Sequence, residues 1–419
     1  MKNFEKLGLG KDILNVLDEM GFREPTEIQE RTIPLALAGK DIIGGSATGS
    51  GKTLAFSSGI IENLKPNGKV QALILTPTRE LAEQVAKSIT HFSRSKNFNA
   101  LAVYGGVDIH PQIRRISSAD IVVGTPGRIL DHLNRRTLEL NYVKFLVLDE
   151  VDRMFDMGFY RDVEKIIQNC PENRQTMLFS ATLSADVEHL AKKYTKNAER
   201  ISVKSYIDHS KLKQVYYNVP ANLKFSLLAH LLRKEKSNLV MVFCSTRKNV
   251  DFVTGNFRKL GINAKAIHGG MVQSKRLKVL KEFHGKGVNV LVCTDVAARG
   301  LDIKNVTHVY NYDIPGDSES YIHRIGRTAR AGEEGIAINI LAEGDYNNFS
   351  NVLKNESIKI EQKDLPKIER VFIQRNKRVF KKKGQTGKFS TGTNNRYRKK
   401  RHSFSGRRNK NYGIMAIAR

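Results

Sequence analysis

Ser46-Ala47-Thr48-Gly49-Ser50-Gly51-Lys52-Thr53 stands directly after the apolar run DIIG (41–44) and opens TLAFSSGIIENL (53–64), a stretch with helical patterning. A strand, a glycine-rich loop and a helix in that order form a cradle for phosphates. Glycines let backbone N–H groups approach, the lysine meets the β- and γ-phosphates, and the hydroxyl after it ligates Mg²⁺. Lys52 and Thr53 fill those two places. Ser46 opens the loop where Gly or Ala is usual, and a small residue still fits. The segment sets the expectation of a nucleotide-binding α/β fold.

Working outward, short apolar runs alternate with amphipathic stretches, the pattern of strands that cross over through helices into parallel sheets. One series holds DIIG (41–44), ALILT (72–76), ALAVY (100–104), DIVVG (120–124), FLVLD (145–149) and TMLFS (176–180). A second holds NLVMVFC (238–244), AKAIH (264–268), VNVLVC (288–293), VTHVYN (306–311) and GIAINI (335–340). Between them SVKSYIDHSKLK (202–213) is polar and aperiodic. The expected organisation is therefore a first domain over 1–203, a linker over 204–213, a second domain over 214–366 and a tail over 367–419.

The 419 residues exceed what one core usually serves, and the net charge is +28. Such a charge calls for a polyanionic partner, nucleic acid or an acidic membrane surface. From Lys367 onward there are 18 Lys+Arg against a single acid, Glu369, so the tail carries +17 of that charge. Its composition cannot bury enough apolar area to fold alone, and disorder is expected. Phe372, Phe380, Phe389, Tyr397, Phe404 and Tyr412 interleave with the basic residues and offer stacking beside phosphate pairing. No run of about 18 apolar residues and no signal-peptide layout is present, which leads to the expectation of a soluble, cytoplasmic protein that does not bind membrane. Cys170, Cys244 and Cys293 lie far apart and form no C-x-x-C pair, so neither a structural metal nor redox chemistry is expected.

A phosphate cradle needs carboxylates at a neighbouring strand end, and Asp149-Glu150-Val151-Asp152 follows FLVL. Asp149 suits Mg²⁺, usually through water, and Glu150 suits polarisation of the attacking water for in-line displacement. Lys52, Asp149 and Glu150 are thus candidate catalytic residues, with Thr53 and Asp149 as metal ligands.

At this point the chain resembles the DEAD-box RNA helicases from Phe4 to about Ala342. Val151 stands where that family carries Ala, giving a DEVD form of the box, and 153–159 (RMFDMGF) is similar to the text that follows it. The resemblance implies two tandem RecA-like parallel-sheet domains and RNA-stimulated ATP hydrolysis coupled to local unwinding of short duplexes or remodelling of RNA–protein complexes. A slow ATP-gated RNA clamp and a DNA translocase of the same superfamily remain the rival readings. GFREPTEIQ (21–29), with Phe4 upstream, is similar to the Q motif that reads adenine. That likeness places Phe4, Phe22, Thr26 and Gln29 with Ser46, Ala47, Thr48, Gly49, Ser50, Gly51, Lys52 and Thr53 around the nucleotide. The amide of Gln29 can offer a donor and an acceptor, and Phe4 an aromatic face.

The resemblance further implies that Asp152, Ser180, Thr182 and His323 couple the two ligands. It makes Arg327 and Arg330 of HRIGRTAR (323–330) the fingers that meet the γ-phosphate, and puts Asp295 and Asp302 on the nucleotide side. Ala329 replaces the commoner Gly, which stiffens that turn. For RNA it implies Pro77, Thr78, Arg79, Gly105, Gly106, Thr125, Pro126, Gly127 and Arg128 in the first domain. In the second it implies Arg247, His268, Gly269, Gln273, Arg276 and Thr294. Loops and helix starts of this kind contact the sugar-phosphate backbone, which predicts little sequence preference and strong salt dependence.

Overall fold

The computed structural model describes residues 2–45, 49–203, 211–234, 238–285, 287–298, 303, 306–329 and 333–372. Seven strands of the first half, β1 (Ile42–Gly45), β2 (Ala72–Leu75), β3 (Ala100–Val103), β4 (Ile121–Gly124), β5 (Phe145–Asp149), β6 (Gln175–Ser180) and β7 (Glu199–Ser202), form one sheet in the order β3-β4-β2-β5-β6-β1-β7. Seven more form the second: β8 (Leu212–Asn218), β9 (Leu239–Phe243), β10 (Ala264–Ile267), β11 (Val290–Cys293), β12 (Val306–Asn311), β13 (Gly335–Leu341) and β14 (Glu361–Lys363), in the order β10-β11-β9-β12-β13-β8-β14. Every pairing is parallel, as the alternation of strand and helix patterns requires. The two sheets lie within one compact unit.

The central strands are apolar on both faces because helices cover both. Ile42, Ala72 and Ile74 point into one cluster with Phe56 and Ile60 of the helix Lys52–Asn63, while Ile43, Leu73 and Leu75 point into another with Ile166 and Leu190. In the second sheet Val240 and Val242 face Phe225 and Phe257, and Met241 and Phe243 face Phe283 and Val309. Parallel sheets buried in this way place their polar strand ends, and so any ligand site, on the carboxyl edge. Cys170, Cys244 and Cys293 are buried, and burial raises the thiol of each above its ordinary range. Among the described residues no helix is long and apolar enough to cross a membrane.

β8 begins at Leu212, inside the stretch read as linker, and 204–210 lie outside the described residues, as do all tail residues from 373.

The phosphate-loop helix packs hard on the helix Glu27–Leu37: a Cβ added at Gly59 would lie 2.8 Å from the Ala36 carbonyl oxygen. Gly59→Val should therefore cost about 1–3 kcal/mol through overpacking. Urea denaturation measures this, and an unchanged midpoint would contradict the close packing.

Candidate functional site

The first wall is built where β1, β5 and β6 end. Gly49 and Gly51 adopt left-handed backbone (φ +84° and +96°), which glycine reaches without a Cβ clash, and Lys52 and Thr53 open the helix that follows. Ser46, Ala47 and Thr48 lie outside the described residues. Buried Lys52 places Nζ 4.0 Å from Asp149 Oδ1, an oxygen with no hydrogen-bond partner among the described residues. Burial pushes the Asp149 carboxyl up to about 6, against the pull of Lys52 and with a push from Glu150. A desolvated oxygen without a donor is suited to a cation.

Glu150 holds a left-handed backbone (φ +55°), a strain of roughly 1–3 kcal/mol for a residue with a side chain. Its carboxylate accepts a 2.9 Å hydrogen bond from Arg153 Nη1, both side chains being buried. Val151 is fully buried in the apolar cluster, and the contacts around it are made. The Asp152 N–H donates to Ser180 Oγ (3.3 Å), while Asp152 Oδ2 accepts from Ala181 N (3.0 Å), Thr182 N (2.9 Å) and Thr182 Oγ1 (3.1 Å).

The residues expected around the nucleotide base divide. Gln29 donates through Nε2 to the Gly51 carbonyl (3.2 Å) and accepts from the Thr26 N–H (3.0 Å), and the Thr26 hydroxyl donates to the Ser50 carbonyl (2.7 Å). Among the described residues each end of the Gln29 amide makes one bond and keeps one position. Phe22 packs edge-on against Phe92 at 6.5 Å. Phe4, expected to offer an aromatic face, is fully buried in the first cluster with Leu9 and Ile13.

The second wall is the helix Ser318–Ile325 and the turn after it. Arg327 and His323 line a small pocket with Asp295, Ser320 and Arg324. His323 is lowered to about 4, first by burial and then by the Arg153 guanidinium, with Asp152, Arg327 and Glu150 also near. The Glu319 carboxyl lies beside the Thr182 side chain, and burial, Asp152 and Asp156 hold it above the usual carboxylate range. The second half thus reaches the acidic tetrad of the first. Arg327 is buried, and Ala329 has φ +53°, a conformation the commoner glycine would adopt without strain. Asp295 gives both carboxylate oxygens to Arg324. Asp302 and Arg330 lie outside the described residues.

On the other expected ligand path, the Arg79 side chain lies against Gly105 and Gly106, and Gly106 has φ +80°. Thr78 caps the helix Arg79–Phe92, and Thr125 and Pro126 start the helix Pro126–Asn134 with Gly127 beside them. Arg128 Nη2 donates to the Val107 carbonyl (3.0 Å), and its buried Nη1 has no partner among the described residues. Arg247 lies over Gly269, and His268 Nδ1 accepts from the Gly270 N–H (3.2 Å) with Nε2 3.1 Å from Asp251. Thr294 is buried at the end of β11. Gln273 and Arg276 are engaged across the cleft. Gln273 Nε2 donates to Glu80 Oε1 (2.8 Å), and Arg276 Nη2 lies 3.1 Å from the same oxygen. Glu80 directly follows Arg79 in the sequence, yet an acid beside an arginine gave no sign that it would clasp the opposite half. Glu319 was equally silent, reading as an ordinary acidic helix start.

The DEAD/DEAH box helicase family matches residues 26–190, and the helicase conserved C-terminal domain matches 223–332. The ATP-dependent RNA helicase CshA of Listeria monocytogenes is 48% identical over 341 residues, covering 81% of this chain and 66% of that protein. The DEAD-box ATP-dependent RNA helicase CshA of Geobacillus kaustophilus is 42% identical over 88% of this chain and 80% of its own length. The chain belongs to the DEAD-box RNA helicase family. The structure of S. cerevisiae Dbp5 bound to RNA and ADP BeF3 superposes with a TM-score of 0.79 at 31% identity, covering 87% of this chain and 96% of that one. The DEAD-box chain described above accordingly consists of two tandem RecA-like α/β domains.

His323 gives the cleft a pH signature. Its folded pKa lies below the ordinary value of 6.5, so its stabilising share is complete above pH 6.5 and is lost as pH falls toward about 4. His323→Gln should shed that loss, narrowing the stability difference from the parent by about 2 kcal/mol between pH 7.5 and pH 5. Parallel thermal or urea melts check it; a difference constant with pH would contradict the placement.

Proposed function

We propose that this chain hydrolyses ATP in a cleft whose walls come from its two halves, and that the cycle locally separates short RNA duplexes or remodels RNA–protein complexes. In this reading Asp149 to Asp152 form a DEVD box, 21–29 a Q motif, and the domain limits fall at 203, 213 and 366. The observation that carries the reading is the contact between the halves: Gln273 and Arg276 of the second hold Glu80 of the first, with Glu319 and His323 near Thr182 and the box residues.

The site's residues divide the work. Lys52 and the N–H groups of the glycine loop neutralise and hold the β- and γ-phosphates. Gln29, tied to the loop at Gly51, carries adenine recognition into the phosphate site. Thr53 and Asp149 Oδ1, which has no hydrogen-bond partner among the described residues, suit Mg²⁺, which when bound would screen phosphate charge and polarise the γ-phosphoryl group. Glu150 orients and polarises the attacking water, its strained backbone and Arg153 contact fixing where the carboxylate points. Arg327 supplies positive charge as the transferring group becomes more anionic in the transition state; Arg330 has the same role.

RNA would be held through its sugar-phosphate backbone by the helix starts at Thr78 and Thr125, by Arg79, Arg128 and Arg247, and by the loops at Gly105–Gly106, His268–Gly269 and Thr294. The unmatched Arg128 Nη1 supports an anionic ligand there. In this structure Gln273 and Arg276 serve Glu80, so their part in holding RNA is to bring the other contacts together. The basic tail acts as a tether that raises RNA affinity without reading sequence.

Glu150→Gln preserves volume and removes only the carboxylate. ATP and RNA binding should stay within about twofold while RNA-stimulated turnover drops by at least roughly 10²-fold. Steady-state phosphate release with parallel binding titrations measures both, and turnover at the parent rate would remove Glu150 from its role.

A further inference from the structure

Two asparagines, Asn311 and Asn339, sit side by side in the core of the second sheet, in register on β12 and β13 and without solvent exposure. Amides in such a place cost free energy unless every polar atom is bonded. Here the bonds run in one direction. Arg324 Nη1 donates to Asn311 Oδ1 (3.0 Å), and Asn311 Nδ2 donates to Asn339 Oδ1 (2.8 Å). Asn339 Nδ2 then donates to Tyr321 Oη (3.2 Å), whose hydroxyl donates to Gln214 Oε1 (2.9 Å). A second bond from Asn339 reaches the Val215 carbonyl (3.0 Å). At the head of the chain Arg324 holds both oxygens of Asp295 and the Asp313 carbonyl, with its guanidinium 5.2 Å from the Phe243 ring centre.

We infer that this line of buried polar groups is a positioning device for Arg327, with Tyr321, Asn339, Asn311 and Gln214 as positioning residues. The geometry carries it. Tyr321 and Arg324 are on the helix Ser318–Ile325, three residues apart on one face, and Arg327 follows that helix by two residues. Fixing both side chains fixes the helix's rotation about its axis and its slide along the sheet, which apolar packing alone leaves adjustable. The far end is Gln214 on β8, the first described strand after residues 204–210. The near end is Asp295, one residue beyond Thr294 on the proposed RNA path. A displacement at either end therefore passes to Arg327 through directed bonds rather than through a compliant apolar contact. The inference rests on the proposed role of Arg327 at the γ-phosphate.

The test compares full-length Tyr321→Phe, Gln214→Leu and Gln214→Glu in RNA-stimulated ATP hydrolysis, with a fluorescent ADP titration for each. Tyr321→Phe removes the last two links and Gln214→Leu the last one, each while preserving shape. Each should lower kcat roughly tenfold with the KM for ATP and the ADP affinity within about twofold, since a misplaced arginine is felt only in the transition state. Gln214→Glu keeps an acceptor for the Tyr321 hydroxyl and should restore kcat. Parent-like kcat in Tyr321→Phe and Gln214→Leu, or an equal loss in Gln214→Leu and Gln214→Glu, would overturn the inference. Glu150→Gln run alongside separates the levels: if it is inactive while Tyr321→Phe turns over normally, the positioning role fails and the ATPase reading stands.

Discussion

The Asp152 carboxylate holds the site in one piece. It closes a ring of hydrogen bonds between the end of β5 and the loop after β6, taking two backbone N–H groups and one hydroxyl on a single oxygen. A buried anion accepting that many donors is well compensated, whereas loss of the carboxylate would orphan several buried groups at once. Asp149 and Glu150 lie three and two residues before it, so the orientation of both depends on this anchor. Thr182 also meets Glu319 of the second half, so the ring that orders the acids is the surface on which the opposite domain registers.

Strain marks both walls. Glu150 and Ala329 are non-glycine residues in left-handed backbone, one beside the Asp149–Lys52 pair and the other two residues past Arg327. Such conformations persist only where the surroundings over-determine them. For Glu150 the determinants are the Asp152 ring and the Arg153 bond. For the helix before Ala329 they are the Arg324 and Tyr321 bonds into the sheet. The cleft therefore has on each side a strained residue that its surroundings hold in place.

Much of this was legible in the sequence because buried parallel strands are written as apolar runs: FLVLD and VTHVYN coincide with β5 and β12 residue for residue. β7, β8 and β14 escaped for the complementary reason. ERIS and EQK are short, exposed edge strands, and LKQVYYN carries polar residues that pay their way in hydrogen bonds, Gln214 to Tyr321 and Tyr216 to Gln362. Local motifs singled out Lys52 and Asp149, and the family resemblance Gln29, although Lys52 meets Asp149 and Gln29 meets Gly51 from distant parts of the chain. Glu80, Glu319, Asn311 and Asn339 act on partners far along the chain, and nothing adjacent to them says so.

The central claim is that a loop in one half and an arginine in the other act on the same phosphate. Phosphate release by Arg327→Ala at saturating ATP, with and without single-stranded RNA, tests it most directly. The account predicts that nucleotide binding survives while RNA stimulation is lost, leaving the rate at its RNA-free level or below. Stimulation by RNA to the parent rate would contradict it.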